Sequence, residues 1–124
     1  MELQTVSRWI DAYVRAWDSN DPKLIADLFT EDATYAFQPW GEPLVGRDAI
    51  VAGWRAEPDE PGSWDAHYKP MLLDGERAII TGLTRYADGR TYSNLFVVDF
   101  RDDGRCRAFT EWYMRHPRES AVNT

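Results

Sequence analysis

The sequence predicts an α+β fold in which three N-terminal helices pack on one face of a curved antiparallel sheet. Apolar residues recur at three- and four-residue steps near the N-terminus, and Asp-Gly turn signals divide the C-terminal half. Helices and strands are segregated along the chain instead of alternating. With 124 residues, 44% of them hydrophobic, the chain is expected to form one domain over residues 1–124 with a core and a modest pocket.

The three helices are predicted from periodicity and capping residues. The first spans residues 4–18, where the apolar positions are Val6, Trp9, Ile10, Tyr13, Val14 and Trp17. The second starts at Asp21-Pro22, because Asp caps free amides and Pro suits the first helical position. It is expected to carry inward Leu24, Ile25, Leu28 and Phe29. The third follows Gly46-Arg47-Asp48 and runs to about Arg55.

The strands are predicted from turn signals. A short strand covers Thr34 to Phe37, and residues Pro39, Gly41 and Pro43 then interrupt regular structure. Later turns are expected at Asp74-Gly75, Asp88-Gly89 and Asp102-Asp103-Gly104, since Gly tolerates positive φ and Asp bonds its own backbone. They leave four strands, at about 64–73, 77–87, 91–101 and 105–115.

Charge and cysteine content exclude several classes of partner. The net charge of −7 disfavours nucleic acid and anionic membranes. The single cysteine, Cys106, rules out an intramolecular disulfide and a multi-cysteine zinc site, so no metal is expected. The chain has no apolar run of membrane-spanning length. Its N-terminus is polar, unlike a signal peptide. A cytoplasmic location is expected.

Five stretches of this sequence resemble the nuclear transport factor 2-like superfamily, in its SnoaL-like and ketosteroid-isomerase-like branch. They are Tyr13-Val14-Arg15-Ala16-Trp17-Asp18-Ser19-Asn20-Asp21, Leu28-Phe29-Thr30-Glu31-Asp32-Ala33-Thr34-Tyr35, Gly46-Arg47-Asp48-Ala49-Ile50, Asp103-Gly104-Arg105 and Glu111-Trp112-Tyr113. The resemblance implies a cystatin-like cone whose concave sheet and helices enclose an apolar pocket. Members include isomerases, cyclases, dehydratases, epoxide hydrolases and proteins with no reaction, so the fold does not settle the function.

The resemblance also implies which strand residues point into the pocket. On the last three strands they are Ile79, Thr81, Leu83, Arg85, Asn94, Phe96, Val98, Phe100, Phe109, Glu111 and Tyr113. A one-residue slip would invert any of these strands. The direction of the first long strand, and so of His67 or Tyr68, stays open.

Three residues are predicted to be catalytic, namely Glu111, Tyr13 and Arg85. Glu111 would move the proton, and Arg85 with Tyr13 or Tyr113 would hold the developing oxyanion. Glu111 stands where acid–base members of the superfamily place a carboxylate, and burial among aromatic rings would raise its pKa. Alternatively, Glu111 forms an ion pair with Arg85. Tyr13 matches the tyrosine that donates to an oxyanion in ketosteroid isomerases; alternatively, it is a core tyrosine.

The other candidates are predicted to bind substrate: Trp17, Phe37, Trp40, Trp54, His67, Asn94, Phe96 and Tyr113. His67 has the intrinsic pKa of a general base, although a lone strand histidine is more often structural. The isomerases' two catalytic aspartates correspond to Phe37 (or Gln38) and Phe96, which disfavours their mechanism here. In the epoxide-hydrolase Asp-Arg-Asp arrangement, Arg85 and Glu111 supply two parts, with Asn94 nearest the third.

The resulting prediction is an acid–base enzyme that needs no cofactor and acts on a small apolar carbonyl or epoxide metabolite, as in polyketide or terpenoid metabolism. The alternative is a ligand-binding or dimerisation module of the same fold that catalyses nothing. Apolar side chains are expected on the far face of the sheet, at Leu95, Val97 and Trp112. A second copy of the chain would bury these side chains in a homodimer, and homodimers are common in the superfamily that the sequence resembles.

Overall fold

The computed structural model describes residues 1–117. Over that range the chain folds into three helices and six strands. They are α1 (Leu3–Ser19), α2 (Pro22–Ala26), β1 (Phe29–Ala36), β2 (Leu44–Val45), α3 (Arg47–Ala56), β3 (Trp64–Asp74), β4 (Arg77–Tyr86), β5 (Thr91–Phe100) and β6 (Cys106–Arg115). The α+β class with N-terminal helices and a curved sheet is therefore confirmed. No helix in residues 1–117 is both long and apolar enough to span a bilayer.

The helix ends follow the capping residues. The Asn20 backbone adopts a left-handed φ of 56° and its amide donates to the Ala16 carbonyl, which closes α1. The Asp21 carboxylate accepts from the Lys23 amide at 2.8 Å and starts α2. That helix is shorter than predicted, because Phe29 already begins β1 and is fully buried there.

The sheet order is β2-β1-β6-β5-β4-β3. The predicted antiparallel meander is present from β3 to β6. The short strand β1 departs from this antiparallel pattern, since it runs parallel to β6. β1 also begins five residues before the predicted strand, since the segment from Phe29 pairs along β6.

The expected directions hold for β5 and β6 but not for β4. Asn94 and Phe96 are buried on the concave face, and they lie directly opposite Gly82 and Ile80. Directly opposed residues share a face of the sheet. Ala78, Ile80, Gly82 and Thr84 therefore point inward, and the predicted inward set of β4 faces the convex side.

The loop between β4 and β5 explains this one-residue slip. A two-residue turn at Asp88-Gly89 would put Leu83 opposite Asn94. Instead Tyr86 pairs with Arg90, because its amide donates to the Arg90 carbonyl at 2.8 Å. The loop thus has three residues, with Gly89 at a φ of 98°. A three-residue hairpin loop with Gly in a left-handed conformation is a common alternative to the two-residue turn.

The core fills the space between α1 and the concave face. The buried face of α1 comprises Val6, Trp9, Ile10, Tyr13 and Ala16. The Trp9 indole donates to the Leu28 carbonyl at 3.0 Å, which satisfies its polar group inside this apolar layer.

A glycine in β4 shapes the inner wall. A Cβ at Gly82 would overlap the Tyr68 ring and the His67 carbonyl of β3. Without it, the Tyr68 side chain can lie across β4 and reach Phe96 and Thr84. Gly82 therefore decides how the aromatic wall is packed.

Candidate functional site

A cavity of about 510 Å³ lies between the concave face of the sheet and helices α1 and α3. Its lining is dominated by aromatic side chains: Tyr13, Trp17, Tyr35, Phe37, Trp54, Tyr68, Tyr86, Tyr92 and Tyr113. The charged groups in the lining are the carboxylates of Glu57, Asp59 and Glu111, and within residues 1–117 no Lys, Arg or His joins them. An apolar cleft with a few convergent polar groups is typical of a small-molecule site.

Glu111 lies on β6 and points into this cavity. Its Oε2 atom accepts from Asn94 Nδ2 of β5 at 3.0 Å. Burial raises the pKa of the Glu111 carboxyl from 4.5 to about 7, and the hydrogen bond from Asn94 opposes that rise. A carboxyl with a pKa near neutrality can both donate and accept a proton at physiological pH.

The hydrogen bonds continue away from Glu111 across the sheet. Thr84 of β4 donates from its hydroxyl to Asn94 Oδ1 at 2.9 Å. The Tyr68 hydroxyl of β3 bonds in turn to Thr84 Oγ1. Each member lies diagonally opposite the next in adjacent strands, so the sheet register fixes the whole series.

Two phenols lie near Glu111 in the same lining, Tyr13 on α1 and Tyr35 on β1, the strand that pairs with β6. The hydroxyls of Tyr13 on α1 and Tyr35 on β1 lie 3.4 Å apart. Burial raises the pKa of both phenols well above the usual value, and the nearby charge of Glu111 adds to the rise. Both hydroxyls therefore keep their protons at neutral pH. One proton lies in the bond between the two phenols, and the other is available to donate to a ligand.

Aromatic side chains also form the rim of the cavity. Trp17 stacks on Trp64 with 3.5 Å between ring centroids, and its indole donates to Asp59 Oδ2 at 3.0 Å. This contact ties the loop after α3 to α1. On the sheet side, Tyr86, Tyr92 and Tyr113 form an edge-to-face series.

Most of the sequence candidates lie at the cavity. The lining includes Tyr13, Trp17, Phe37, Trp54, Asn94, Glu111 and Tyr113. Phe96 lies beneath the wall, 2% exposed, against the rings of Tyr68 and Phe109. The directions expected for Asn94, Phe96 and Glu111 are correct, while their roles stay predictions.

Three candidates lie elsewhere, and their expected placement was wrong. Arg85 is exposed on the convex side, because of the slip in β4, so it does not pair with Glu111. The Asp-Arg-Asp arrangement of epoxide hydrolases thereby loses its cation. His67 also faces outward, with its side chain 71% exposed and bonded to Asp65. Trp40 is 82% exposed, because Pro39 and Gly41 hold it in a loop away from the cavity.

Sequence reasoning missed several residues of the wall, chiefly Tyr35, Tyr68, Thr84, Tyr86 and Tyr92. The alternation Ala33-Tyr35-Phe37 could have indicated Tyr35. Tyr68 carried no such signal, because an irregularity between Pro70 and Leu72 breaks the register of β3. Within residues 1–117, no cluster of three or more His, Cys, Asp or Glu side chains is arranged to hold a metal ion.

The sequence was compared with models of known protein families. The model of the SnoaL-like domain matches residues 10–109. The chain belongs to the SnoaL-like family. It falls in the SnoaL branch of the nuclear transport factor 2-like proteins. No curated protein matches the sequence.

Solved structures share the fold of this SnoaL-like chain. An NTF-2-like protein of unknown function from Burkholderia xenovorans LB400 is 18% identical with a TM-score of 0.70, over 98% of this chain and 94% of that one. A protein from Sphaerobacter thermophilus is 22% identical with a TM-score of 0.68, over 87% and 94%. A candidate ketosteroid isomerase from Kribbella flavida DSM 17836 is 17% identical with a TM-score of 0.72, over 93% and 82%. At these identities the likeness establishes the fold alone.

Proposed function

We propose that this SnoaL-like protein is an acid–base enzyme that needs no cofactor and moves a proton on a small, uncharged, largely apolar carbonyl compound. One observation carries the proposal. The Glu111 carboxyl lies in an aromatic cavity, hydrogen bonded to Asn94, and shares the lining with the phenols of Tyr13 and Tyr35.

The chemistry divides between the Glu111 carboxyl and the pair of phenols. Ionised Glu111 accepts a proton from the carbon next to the carbonyl, so the C–H bond breaks and its electron pair forms an enolate. One phenol of the Tyr13–Tyr35 pair donates a hydrogen bond to the enolate oxygen as it gains charge, and the other donates to the first phenol's oxygen. Glu111 then returns the proton to the same or a neighbouring carbon, which gives exchange or isomerisation with no net change in composition.

The charge of the lining supports an uncharged substrate. Glu57, Asp59 and Glu111 supply negative charge, and no described cation in the lining would pair with a carboxylate or phosphate on a ligand. The aromatic rings exclude water and provide apolar contacts. Loss of Arg85 from the cavity favours carbonyl over epoxide substrates.

The test is hydrogen–deuterium exchange at carbon, measured by mass spectrometry in D₂O with a panel of small cyclic ketones, enones and one epoxide. Wild type is expected to exchange at least one ketone. Glu111→Gln is expected to lose about 10²–10⁴-fold of that rate, the usual contribution of a positioned acid–base group. The control is Glu76→Gln, an exposed carboxylate in the turn between β3 and β4.

Equal exchange by wild type and Glu111→Gln would remove Glu111 from the mechanism. Thermal stabilisation by panel compounds without any exchange would favour the ligand-binding module instead.

We also propose that the protein is a homodimer through the convex face of its sheet. Leu72, Trp112 and Met114 are 59%, 52% and 71% exposed there, and a second copy would bury them. Light scattering should give twice the monomer mass for wild type and the monomer mass for Trp112→Glu. Trp40→Glu, at an exposed tryptophan in a loop, is the matched control.

We propose a cytoplasmic location as well. A single cysteine, which cannot form an intramolecular disulfide, is compatible with a reducing compartment.

A further inference from the structure

The hydrogen bonds that end at Glu111 have a direction. An ionised carboxylate only accepts, so Asn94 must present Nδ2 to Glu111 and Oδ1 to Thr84. Thr84 then donates its single hydroxyl proton to Asn94. It can only accept from Tyr68, whose hydroxyl must be the donor at that contact.

The reverse direction requires protonated Glu111, because only the protonated carboxyl has an O–H that donates. Glu111 would donate to Asn94 Oδ1, Asn94 would donate to Thr84, and Thr84 would donate to Tyr68. The phenol proton of Tyr68 would then lose its acceptor inside a part-buried wall, where an unsatisfied donor is costly. A series that ends in a phenol is therefore biased towards the first direction.

We propose that Tyr68, Thr84 and Asn94 act together as a positioning relay that holds Glu111 in its ionised, proton-accepting form from three strands away. The proposal deepens the proposed function, on which its catalytic meaning rests. Thr84 and Tyr68 are positioning residues, since they act on Glu111 only through Asn94.

Other groups around Glu111 do not reproduce this effect. The titratable side chains that line the same cavity are Tyr13 on α1, Tyr35 on β1, Tyr86 on β4, Tyr92 on β5, Tyr113 on β6, and Glu57 and Asp59 in the loop after α3. Burial raises the pKa of the Tyr13, Tyr35 and Tyr86 phenols, so they stay protonated at pH 7. None of these lining side chains is a cation that would hold Glu111 ionised. In the described chain, the hydrogen bond that favours its ionised form comes from Asn94.

The test is the titration of Glu111 in the ligand-free protein, followed by ¹³C NMR of labelled glutamate carboxyls. The Glu111 resonance is assigned by its loss in Glu111→Gln. Thr84→Val and Tyr68→Phe should each move the Glu111 midpoint upward by about 0.5–1 pH unit, as loss of one hydrogen bond implies. Thr84→Ser keeps the hydroxyl and should titrate as wild type.

Two matched controls remove the same groups outside the relay. Thr81→Val lies on the convex side of the same strand, and Tyr86→Phe removes a phenol from the cavity wall. Both should leave the midpoint of Glu111 unchanged. Should Thr84→Val not fold, Tyr68→Phe alone decides the matter.

An unmoved midpoint in Tyr68→Phe, or an equal rise in Thr84→Ser, would overturn the relay. The titration needs no substrate, so its outcome is independent of the exchange assay. If the enzyme proves active, the pH–rate midpoint of Tyr68→Phe should rise with the titration, while the rate at high pH is retained.

Discussion

Two carboxylates on adjacent strands, Glu111 of β6 and Asp99 of β5, differ in proton affinity because they occupy opposite faces of one sheet. Glu111 faces the cavity, where burial raises its pKa to about 7. Asp99 faces the convex side, where Arg77 binds both of its oxygens at 2.7 and 3.0 Å and Arg107 lies at 3.3 Å. Those guanidinium groups lower the pKa of Asp99.

The comparison shows what makes Glu111 a candidate for chemistry. Two causes separate them. At Glu111 burial dominates and raises the pKa, whereas at Asp99 the hydrogen bonds from Arg77 outweigh burial and lower it. A carboxylate paired with a cation stays ionised and structural, while a buried one without such a partner is a candidate for proton transfer.

The largest expected effect is on the pH dependence of stability. The pKa of Glu111 is higher in the folded state than the usual 4.5. Its contribution is therefore fully present below pH 4.5 and is lost as the pH rises through about 7. The free energy of unfolding of wild type, relative to Glu111→Gln, should fall by about 3 kcal/mol across that window. Urea unfolding of both proteins at pH 4.5–8 measures it, and parallel curves would contradict the assignment.

The packing of the concave wall gives the next effect. Gly82→Ala should cost about 2 kcal/mol, because the new methyl group overlaps the Tyr68 ring and the His67 backbone. The same change should disturb Tyr68 and so the titration of Glu111. Unfolding at pH 7 checks the first part, and a stability equal to wild type would mean that β3 lies farther from β4 than described.

On the convex side the pH effect should have the opposite sign. Asp99→Asn should cost about 1 kcal/mol at pH 7, the size of a well-formed but partly solvated ion pair. Because the pKa of Asp99 is lowered, that stabilisation is present above its usual 3.8 and is lost as the pH falls further. Unfolding of wild type and variant at pH 7 and pH 3 should therefore converge at the lower pH.

The smallest effect is expected at Arg85. Arg85→Gln should change stability by less than about 0.5 kcal/mol, as at other exposed positions. It should leave the Glu111 titration where it is, because the guanidinium lies on the other face. A rise in the pKa of Glu111 in this variant would mean that Arg85 does pair with Glu111, the alternative that the sequence left open.

Sequence reasoning predicted the helices, the four long strands and the inward direction of Asn94 and Glu111, since these depend on periodicity and on recognisable motifs. It failed where one residue of loop length decides the outcome. The three-residue loop before Arg90 turned Arg85 outward. The irregularity between Pro70 and Leu72 hid the direction of Tyr68. The proposed relay could therefore not be predicted from the sequence, because it depends on the register of four strands at once.

The decisive measurement is the NMR titration of Glu111 in wild type. We expect a midpoint near 7, because burial raises the pKa of this carboxyl. A midpoint near 4.5, the value of a carboxyl in water, would contradict it, because Glu111 would then be either hydrated or paired and the cavity would lose its acid–base group.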